Sequence, residues 1–353
     1  MSGDPTTPPS SRKGASKAAL LFGIVSSVAF LGLAIRGVDW DSLTDSIRHV
    51  NWLWLVAYVG IFGVVQTIRI VRWGVLLGSL GETNRRRIAS VGAVGLTAIF
   101  FLPARLGELV RPVAISRGNK VGFGEAMATV IVERLIDGIM VGLMVFGIGF
   151  IVDAGVESTA TIRSSGLIVG GIFLALTVGV FIAARFSAFS ISVIERLFGR
   201  WPKLVDVFSG LVRKFQKGLF TLLEGHVTLK YLTLSLLMWF VNGMSIVALL
   251  QAFHLDLPVT AAFVILGAQS IGILVPAAPT SVGTFHAAVA WSVGLFGIGQ
   301  GVAFAFAALF HAAQIVANLS VGLVGLAIGG MKRSELRLGA IESEQTLSHP
   351  EEA

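Results

Sequence analysis

The sequence predicts an all-α polytopic integral membrane protein of inverted-repeat architecture. We expect about six full spans and two hairpins interrupted by proline and glycine, or about eight hydrophobic segments in all. Hydrophobic residues make up 54% of the 353 positions and charged residues only 13%, whereas a soluble domain has roughly 25% charged residues. Apolar segments long enough to cross a hydrocarbon core of about 30 Å recur along the chain. A short motif also recurs in the two halves.

The composition excludes several classes of function. The chain has no cysteine, so it lacks disulfides, thiolate nucleophiles and cysteine metal ligands. No GxxxxGK[ST] loop and no long polar stretch is present, so we expect no catalytic residue, cofactor or metal, and no enzymatic activity. The formal net charge of +7 comes from basic residues beside the apolar segments, which favours anionic lipid headgroups over nucleic acid as partners.

The apolar segments set the predicted layout. The full spans are expected at about 18–35, 52–76, 124–152, 166–184, 229–253 and 302–330. Segment 18–35 is interpreted as an uncleaved anchor, because 18 apolar residues exceed the usual 7–15 of a signal peptide. The segments 88–118 and 260–298 contain helix-breaking Pro103 and Gly107, and Pro276, Pro279 and Gly283, respectively. We expect each of them to be a hairpin, either re-entrant or a pair of spans.

The loop charges predict the orientation. Basic residues such as Arg85, Arg86 and Arg87 fall in one set of loops, and acidic residues such as Asp39 and Asp153 in the other. By the positive-inside rule, both termini are cytoplasmic, and we expect a bacterial inner-membrane protein. The predicted regions are a disordered tail 1–17, a membrane half 18–152, an outer loop with the next span 153–186, a cytoplasmic amphipathic segment 187–228, the rest of the second half 229–330 and a tail 331–353.

One stretch of the cytoplasmic segment has helical amphipathicity. Between Lys203 and Leu223, apolar residues recur every three or four positions, and most of the basic residues lie on the other face. This pattern predicts a surface helix at the membrane interface, either in contact with lipid or as a solvated linker.

The repeat relates the two broken hairpins. Pro103–Leu109 matches Pro279–Phe285 in its Pro, aliphatic, Gly and apolar positions, 176 residues apart (103 and 279). Gly122–Glu125 and Gly297–Gln300 match at nearly the same offset. Three crossings per half would make the halves inverted, and inverted repeats with broken helices are typical of transporters.

Charged residues within the apolar segments are the candidate substrate-binding residues, because ionisable side chains are costly in a bilayer. Arg105, Glu108 and Arg111 are spaced by three residues after the Pro103 break and form a possible phosphate cradle, or else a structural salt-bridge cluster. Glu133, Arg134 and Asp137 are further candidates, and the carboxylates Glu133 and Asp137 would pair with Arg105 or Arg111, or relay protons. The remaining two candidates are Arg69 and Arg72, which alternatively extend to the cytoplasmic interface beside Trp73.

In the corresponding region, the second half has histidines and amides in place of arginines and carboxylates. His286 follows the second break, and His311, Gln314 and Asn318 form a stripe on the last span. Buried histidines are commonly hydrogen-bonded structural residues, and their near-neutral pKa also allows proton coupling. The second-half candidates are these four residues with Pro276, Pro279 and Gly283.

Together these residues resemble the lysylphosphatidylglycerol synthase transmembrane region, or flippase-like domain family, over about residues 18–330. The matching motifs are Arg69-x-x-Arg72-Trp73, Pro103-x-Arg105-x-Gly107-Glu108-x-x-Arg111, Glu133-Arg134-x-x-Asp137 and Pro276-x-x-Pro279-x-x-Val282-Gly283-Thr284. Two positions depart from the pattern. Thr280-Ser281 stands where many members carry a glycine pair, and His286 where many carry glutamate.

The resemblance implies an integral membrane unit that translocates aminoacylated phosphatidylglycerol or, in relatives, handles polyprenyl-linked sugars or hopanoid-type lipids. The aminoacyl-transferase domain of full synthases is absent from this sequence, so we expect flippase-like transport of a phospholipid or polyprenyl-phosphate-linked headgroup, with the phosphate on Arg105 and Arg111. The alternatives are a non-transporting subunit that partners a membrane-associated glycosyl- or aminoacyl-transferase, and an ion-coupled carrier of a small anionic solute.

Overall fold

The computed structural model describes residues 25–102, 106–118, 120–151, 156–222, 225–275 and 279–331. This part of the chain is helical and contains no strand. Its helices are α1 (Val25–Ile35), α2 (Trp40–Arg48), α3 (Trp52–Ser79), α4 (Arg85–Phe101), α5 (Gly107–Ser116), α6 (Phe123–Ile148), α7 (Val156–Arg185), α8 (Ser187–Phe198), α9 (Pro202–Leu222), α10 (Gly225–Ala252), α11 (Val259–Gly272), α12 (Thr284–Gly294) and α13 (Gln300–Ala327). A 3₁₀ turn, Pro279–Ser281, precedes α12.

Within the described residues, four helices are long and apolar enough to cross a membrane, namely α3, α7, α10 and α13. Helix α6 has 26 residues and is interrupted in its apolar sequence by Glu133, Arg134 and Asp137. Helix α7 begins at Val156, ten residues before the predicted start at 166. Of the predicted first span, the described residues include only Val25–Ile35. The chain is therefore a multi-pass helical membrane protein, as the composition predicts.

Both predicted hairpins consist of two short helices. The longest of the four, α4, has 17 residues, or about 26 Å at 1.5 Å per residue, which is less than the hydrocarbon core of about 30 Å. Helices α4 and α5 pack closely, because a Cβ at Gly107 would overlap the Ala98 carbonyl. The start of α4 and the end of α5, which are far from the break, also lie side by side, since Arg87 Nη2 donates to the Ala114 carbonyl at 2.6 Å.

The second break contains three residues with positive φ. Thr280 and Ser281 have φ of 61° and 57°, and Gly283 has φ of 92°. Positive φ is a conformation that glycine adopts readily and that other residues adopt rarely. Helix α1 lies directly on this break, because a Cβ at Gly283 would overlap the Ser27 carbonyl.

Helices α3 and α10 form a central antiparallel pair. The Asn51 N–H donates to the Ala252 carbonyl at 2.8 Å, where α3 begins and α10 ends. At the other end, Arg72 of α3 contacts Ser235 of α10. Helices α4 and α13 are antiparallel too, because Ser90 Oγ donates to the Gly325 carbonyl and Thr97 Oγ1 to that of Asn318, both at 2.7 Å. The largest apolar cluster lies among α3, α10, α11, α12 and α13.

Helix α9 coincides with the predicted amphipathic helix. Its Leu219 is buried against Leu76 and Tyr231, whereas Arg213 and Lys214 are exposed. Lys217 Nζ lies 3.5 Å from Glu125 Oε1 of α6, so α9 packs across the start of α6. At the opposite end of α3, the short helix α2 is capped by Asp39. Hydrogen bonds from the Ser42 side chain, and then from backbone N–H groups, hold the pKa of the Asp39 carboxyl below its usual value.

The hairpin contact predicts a difference between two glycine substitutions. We expect Gly107→Ala to lower the stability by about 1–3 kcal/mol, because its Cβ overlaps the α4 backbone. Gly63→Ala in α3 meets nothing within 4 Å and should be neutral or slightly stabilising. Thermal unfolding of both variants in the same detergent measures the difference. Equal melting temperatures would contradict the close packing of α4 on α5.

Candidate functional site

The centre of the site is a buried arginine, Arg72, on α3. Its side chain is fully buried, and both terminal nitrogens bind Asp137: Nη1 to Oδ1 at 2.6 Å and Nη2 to Oδ2 at 3.0 Å. Nη2 also donates to Glu133 Oε1 at 3.1 Å, and Nη1 to Ser235 Oγ at 3.2 Å. The guanidinium lies over the Tyr231 ring, 5.0 Å from its centroid. Such a two-point pairing with a carboxylate has the geometry that arginine provides and lysine does not.

Glu133 extends this network from Arg72 to α5. Its second oxygen, Oε2, accepts from Arg111 Nη1 at 2.8 Å. The Arg111 guanidinium lies over Trp73, 5.2 Å from the ring centroid, and Trp73 Nε1 donates to Thr129 Oγ1 at 3.0 Å. Gly95 of α4 leaves room for the Arg111 stem, since a Cβ there would overlap it. The ion network therefore links α3, α5, α6 and α10.

Helical spacing brings these groups to the same faces. Residues three or four apart lie above one another on a helix, which applies to Glu133 and Asp137 on α6 and to Glu108 and Arg111 on α5. Because Arg134 is adjacent to Glu133, its side chain leaves α6 in another direction and remains 30% exposed. Arg134 Nη2 lies 3.5 Å from Glu133 Oε1, and its Nε lies 4.0 Å from Glu108 Oε1.

Arg69 lies one helical turn before Arg72 and is only half-buried. Its Nε donates to the Met238 sulfur at 3.4 Å. Among the described residues, no carboxylate oxygen lies within 4.0 Å of its guanidinium. Arg69 is thus the least compensated arginine of the cluster.

A cavity of about 470 Å³ lies beside the network. One wall is charged and consists of Arg69, Glu108, Arg134 and Asp137. The rest of the lining is largely apolar, and it also carries neutral polar side chains, which are Gln66, Asn242, Gln269, Ser270, Gln314 and Asn318. Leu102 from the first break and Thr280 and Ser281 from the second also line it. Both broken hairpins therefore border one cavity.

The neutral wall joins the two halves and offers acceptors. Gln66 Nε2 of α3 donates to Asn318 Oδ1 of α13 at 2.7 Å. Gln66 Oε1 and Gln269 Oε1 are buried and accept no hydrogen bond from the described residues. Buried polar atoms normally have partners, so these two oxygens are suited to accept hydrogen bonds from hydroxyl groups of a ligand.

The two predicted histidines lie next to the cavity and do not line it. His286 occupies the third position of α12, and its Nδ1 accepts from the Gly283 N–H at 3.4 Å. Glu125 does the same at the start of α6, where its Oε2 accepts from the Gly122 N–H at 3.0 Å. His286 thus performs the capping role of a glutamate without its charge. His311 stacks on Phe285 with a centroid distance of 4.7 Å, and the two imidazole centroids are 4.9 Å apart.

The structure thus brings most of the predicted site residues together, with differences. Pro103, Arg105 and Pro276 lie outside the described residues. Arg111 is 1% exposed and belongs to the ion network, not to the cavity wall on which a phosphate was expected. Arg72 is likewise enclosed by protein, so the alternative that it extends to the interface is wrong. Gln314 and Asn318 reach the cavity, whereas His311 of the same stripe does not.

Several site residues were missed by sequence reasoning. Ser235, Tyr231 and Thr129 hold the arginines and Trp73, and Gln269 and Ser270 line the cavity. An amide such as Gln269 within an apolar helix is a detectable signal. A serine or threonine is not, because its hydroxyl can bind the carbonyl of its own helix, as Ser235 does with Tyr231 at 2.8 Å.

The fold and the site define a class of protein: a multi-pass helical membrane protein with a buried arginine–carboxylate network beside an intramembrane cavity. The family model described as lysylphosphatidylglycerol synthase TM region matches residues 20–322, and the chain belongs to this family. The resemblance drawn from the motifs is thereby confirmed. No curated protein matches the chain.

The network predicts a large loss of stability when one partner is removed. Arg72→Ala leaves Asp137 as an unpaired buried carboxylate and should cost about 3–5 kcal/mol. The double variant Arg72→Met/Asp137→Leu removes both charges, so it should recover a large part of that loss. Arg48→Ala, at an exposed position of α2, is the matched control and should change stability by less than about 0.5 kcal/mol.

Thermal unfolding of these variants measures the effect. A melting temperature of Arg72→Ala equal to that of the unmodified chain would be incompatible with a fully buried ion pair. A double variant as unstable as the sum of its single changes would be incompatible with direct pairing.

Proposed function

We propose that the chain translocates an anionic lipid, either a phospholipid or a polyprenyl-phosphate-linked headgroup, across the cytoplasmic membrane without synthesising it. Arg69 and Arg134 bind the phosphate at the charged wall of the cavity. The observation that carries this proposal is that Arg69 borders the cavity, inside a membrane helix, with no carboxylate within 4.0 Å among the described residues. A charge in that position is costly unless an anion or water compensates it.

The charges of the described site support an anionic ligand. Its arginines are Arg69, Arg72, Arg111 and Arg134, and its carboxylates are Glu108, Glu133 and Asp137. Four positive charges against three negative ones leave one positive charge in excess. A phosphate diester carries one negative charge and accepts two-point hydrogen bonds from guanidinium groups.

The buried residues of the network do not contact the ligand in this proposal, and their role is to position Arg69 and Arg134. Ion pairs and hydrogen bonds join Arg72, Arg111, Glu133 and Asp137 and hold α3, α5 and α6 together. They fix the direction in which Arg69 and Arg134 leave their helices. This assignment replaces the earlier expectation that Arg111 itself binds the phosphate.

The neutral wall supports a headgroup with hydroxyl or amine donors. Gln66 Oε1 and Gln269 Oε1 are available acceptors on residues that line the same cavity as Arg69 and Arg134. A glycerol, an aminoacyl group or a sugar attached to the phosphate would supply donors for them. A bare inorganic anion would leave these oxygens without partners, which favours an anion that carries hydroxyl or amine donors.

The arrangement of helices supports an inverted repeat with about six full spans and two re-entrant hairpins. Helices α3 to α6 have 28, 17, 10 and 26 residues, and α10 to α13 have 28, 14, 11 and 28. Each half contains a long helix, a broken hairpin and another long helix. Helix α3 is antiparallel to its counterpart α10, and α4 packs on α13 as α11 packs on α6.

This symmetry suggests how the lipid moves. Arg85–Arg87 lie at the end of the first hairpin that is far from its break, and by the positive-inside rule this end is cytoplasmic. In an inverted repeat the second hairpin then opens from the opposite side of the membrane. Because both breaks border the cavity, displacement of one hairpin would open it to one leaflet and displacement of the other to the opposite leaflet. Alternating access around a fixed midplane site is typical of inverted-repeat transporters.

A fluorescent-lipid exchange assay in proteoliposomes tests the function. Arg69→Gln and Arg134→Gln should each lower the exchange rate of labelled phosphatidylglycerol by about tenfold or more, because charge-assisted hydrogen bonds contribute about 1.5–3 kcal/mol. The matched control Arg48→Gln removes an exposed arginine of α2 and should leave exchange unchanged.

Three outcomes would contradict parts of the proposal. Unchanged exchange in both cavity variants would remove the phosphate assignment. No exchange of any lipid by the intact chain would favour a subunit that partners a transferase. Uptake of a small phosphate-bearing solute without lipid exchange would favour an ion-coupled carrier.

The orientation is testable because the chain has no native cysteine. Arg86→Cys and Gly299→Cys introduce single thiols at the outer ends of the first and second hairpins, both at exposed positions. We expect an impermeant maleimide applied to intact cells to label Gly299→Cys alone, and to label both variants after permeabilisation. Labelling of both from the same side would exclude the inverted repeat.

A further inference from the structure

A second cavity of about 670 Å³ lies between α1, α11, α12 and the start of α13. We call it the apolar groove. Many of its lining residues are small, and they are Ala34, Gly272, Ala287, Ala288, Ala290, Gly294 and Ala303. Phe30, Leu33 and Trp291 lie among them, and Leu33 and Trp291 are 61% and 50% exposed. Thr284 and Gln300 are its polar lining residues, and no charged side chain of the described residues lines it.

The apolar groove adjoins the charged cavity. Val275, after the end of α11, lines both spaces. Ser270 and Ile273 face the charged cavity, whereas Gly272 faces the groove. The end of α11 is therefore the common wall of a cavity that has charged side chains and a groove that has none among the described residues.

We infer that the apolar groove binds one hydrocarbon chain of the lipid whose phosphate occupies the charged cavity. The inference rests on the proposed function and narrows its substrate class to a long-chain amphiphile. The lining disfavours a charged ligand, because such a ligand would lose its hydrogen bonds to water and would meet no charged side chain of the described residues. Charged and apolar compartments that share a wall match the two chemical parts of one lipid molecule.

The dimensions of the groove fit a single chain. It follows α12, which has 11 residues and is about 16 Å long at 1.5 Å per residue. One leaflet is about half of the hydrocarbon core, or about 15 Å, which is the depth that one acyl chain fills. Thr284 marks the end of the groove near the second break, and Gln300 marks the end near the turn between α12 and α13.

The groove also explains the position of α1. This helix lies directly on the second break at Gly283, and its Phe30, Leu33 and Ala34 form one wall of the groove. The groove therefore lies between α1, which is outside the repeated sets α3–α6 and α10–α13, and α12 of the second hairpin. An acyl chain of the lipid that lies between these helices stays in apolar surroundings while the lipid headgroup is in the charged cavity. The hydrocarbon is then not in contact with the charged side chains.

Photo-crosslinking in nanodiscs of phosphatidylcholine tests the inference. The probe is phosphatidylglycerol with a diazirine in the middle of one acyl chain, and the readout is the labelled residue, identified by mass spectrometry. We expect labelling at Leu33, Ala287 and Trp291 to exceed labelling at Leu237 of α10, which is 46% exposed and outside the groove. Diacylglycerol with the same labelled chain lacks the phosphate and should label the groove about tenfold less.

Variants on both walls keep the test independent of folding. Ala287→Phe on α12 and Ala34→Phe on α1 fill the groove from opposite sides, and each should reduce groove labelling to the level of Leu237. Leu237→Phe is the control and should leave groove labelling unchanged. Arg69→Gln should lower labelling by phosphatidylglycerol to that of diacylglycerol.

The outcomes separate this inference from the proposed function. Labelling of the groove no stronger than that of Leu237, or equal labelling by diacylglycerol, would overturn the inference even if lipid exchange is observed. Strong phosphate-dependent labelling without lipid exchange would support the groove as a lipid site and overturn translocation.

Discussion

The rest of the structure depends on the buried pairing of Arg72 with Asp137 and Glu133. A guanidinium enclosed by membrane helices is tolerated only when its donors are met by carboxylates at close range. Two carboxylates one turn apart on α6 provide this, and they bring α3 against α6 while Ser235 adds α10. Glu133 also accepts a hydrogen bond from Arg111, which fixes α5 against α6. The first hairpin is therefore held by charge as well as by apolar packing.

The same pairing explains which arginines are available at the cavity. Because Arg72 and Arg111 are ion-paired with carboxylates of the network, their charges are compensated inside the protein. Arg69 and Arg134 leave their helices in other directions and border the cavity. An ion-paired interior with two arginines at its edge places guanidinium donors at the cavity, beside Glu108 and Asp137. Preorganised donors of this kind lower the cost of ordering side chains around a ligand.

The two hairpins are stabilised by different means. The first carries the buried charges and has its close contact at Gly107. The second carries no such charges, and its break includes Thr280 and Ser281 at positive φ, each of which costs about 1–2 kcal/mol for a residue with a side chain. At this position the motif resemblance leads one to expect a glycine pair. His286 likewise keeps the cap of α12 while losing the charge of a glutamate. Both departures thus fall on the second hairpin, and neither alters the charged wall.

The sequence by itself determined the membrane location, the helical class, the broken hairpins and the family, because apolar length, proline and glycine positions and motif spacing are local properties. It also determined that Glu133 and Asp137 share one face, since helical periodicity fixes that. Only the tertiary structure decided which arginine meets which carboxylate. Arg72 and Arg69 are three residues apart with similar neighbours, yet one is enclosed and the other borders the cavity. That difference depends on where α6 and α10 cross α3, which is a long-range contact with no local signature in the sequence.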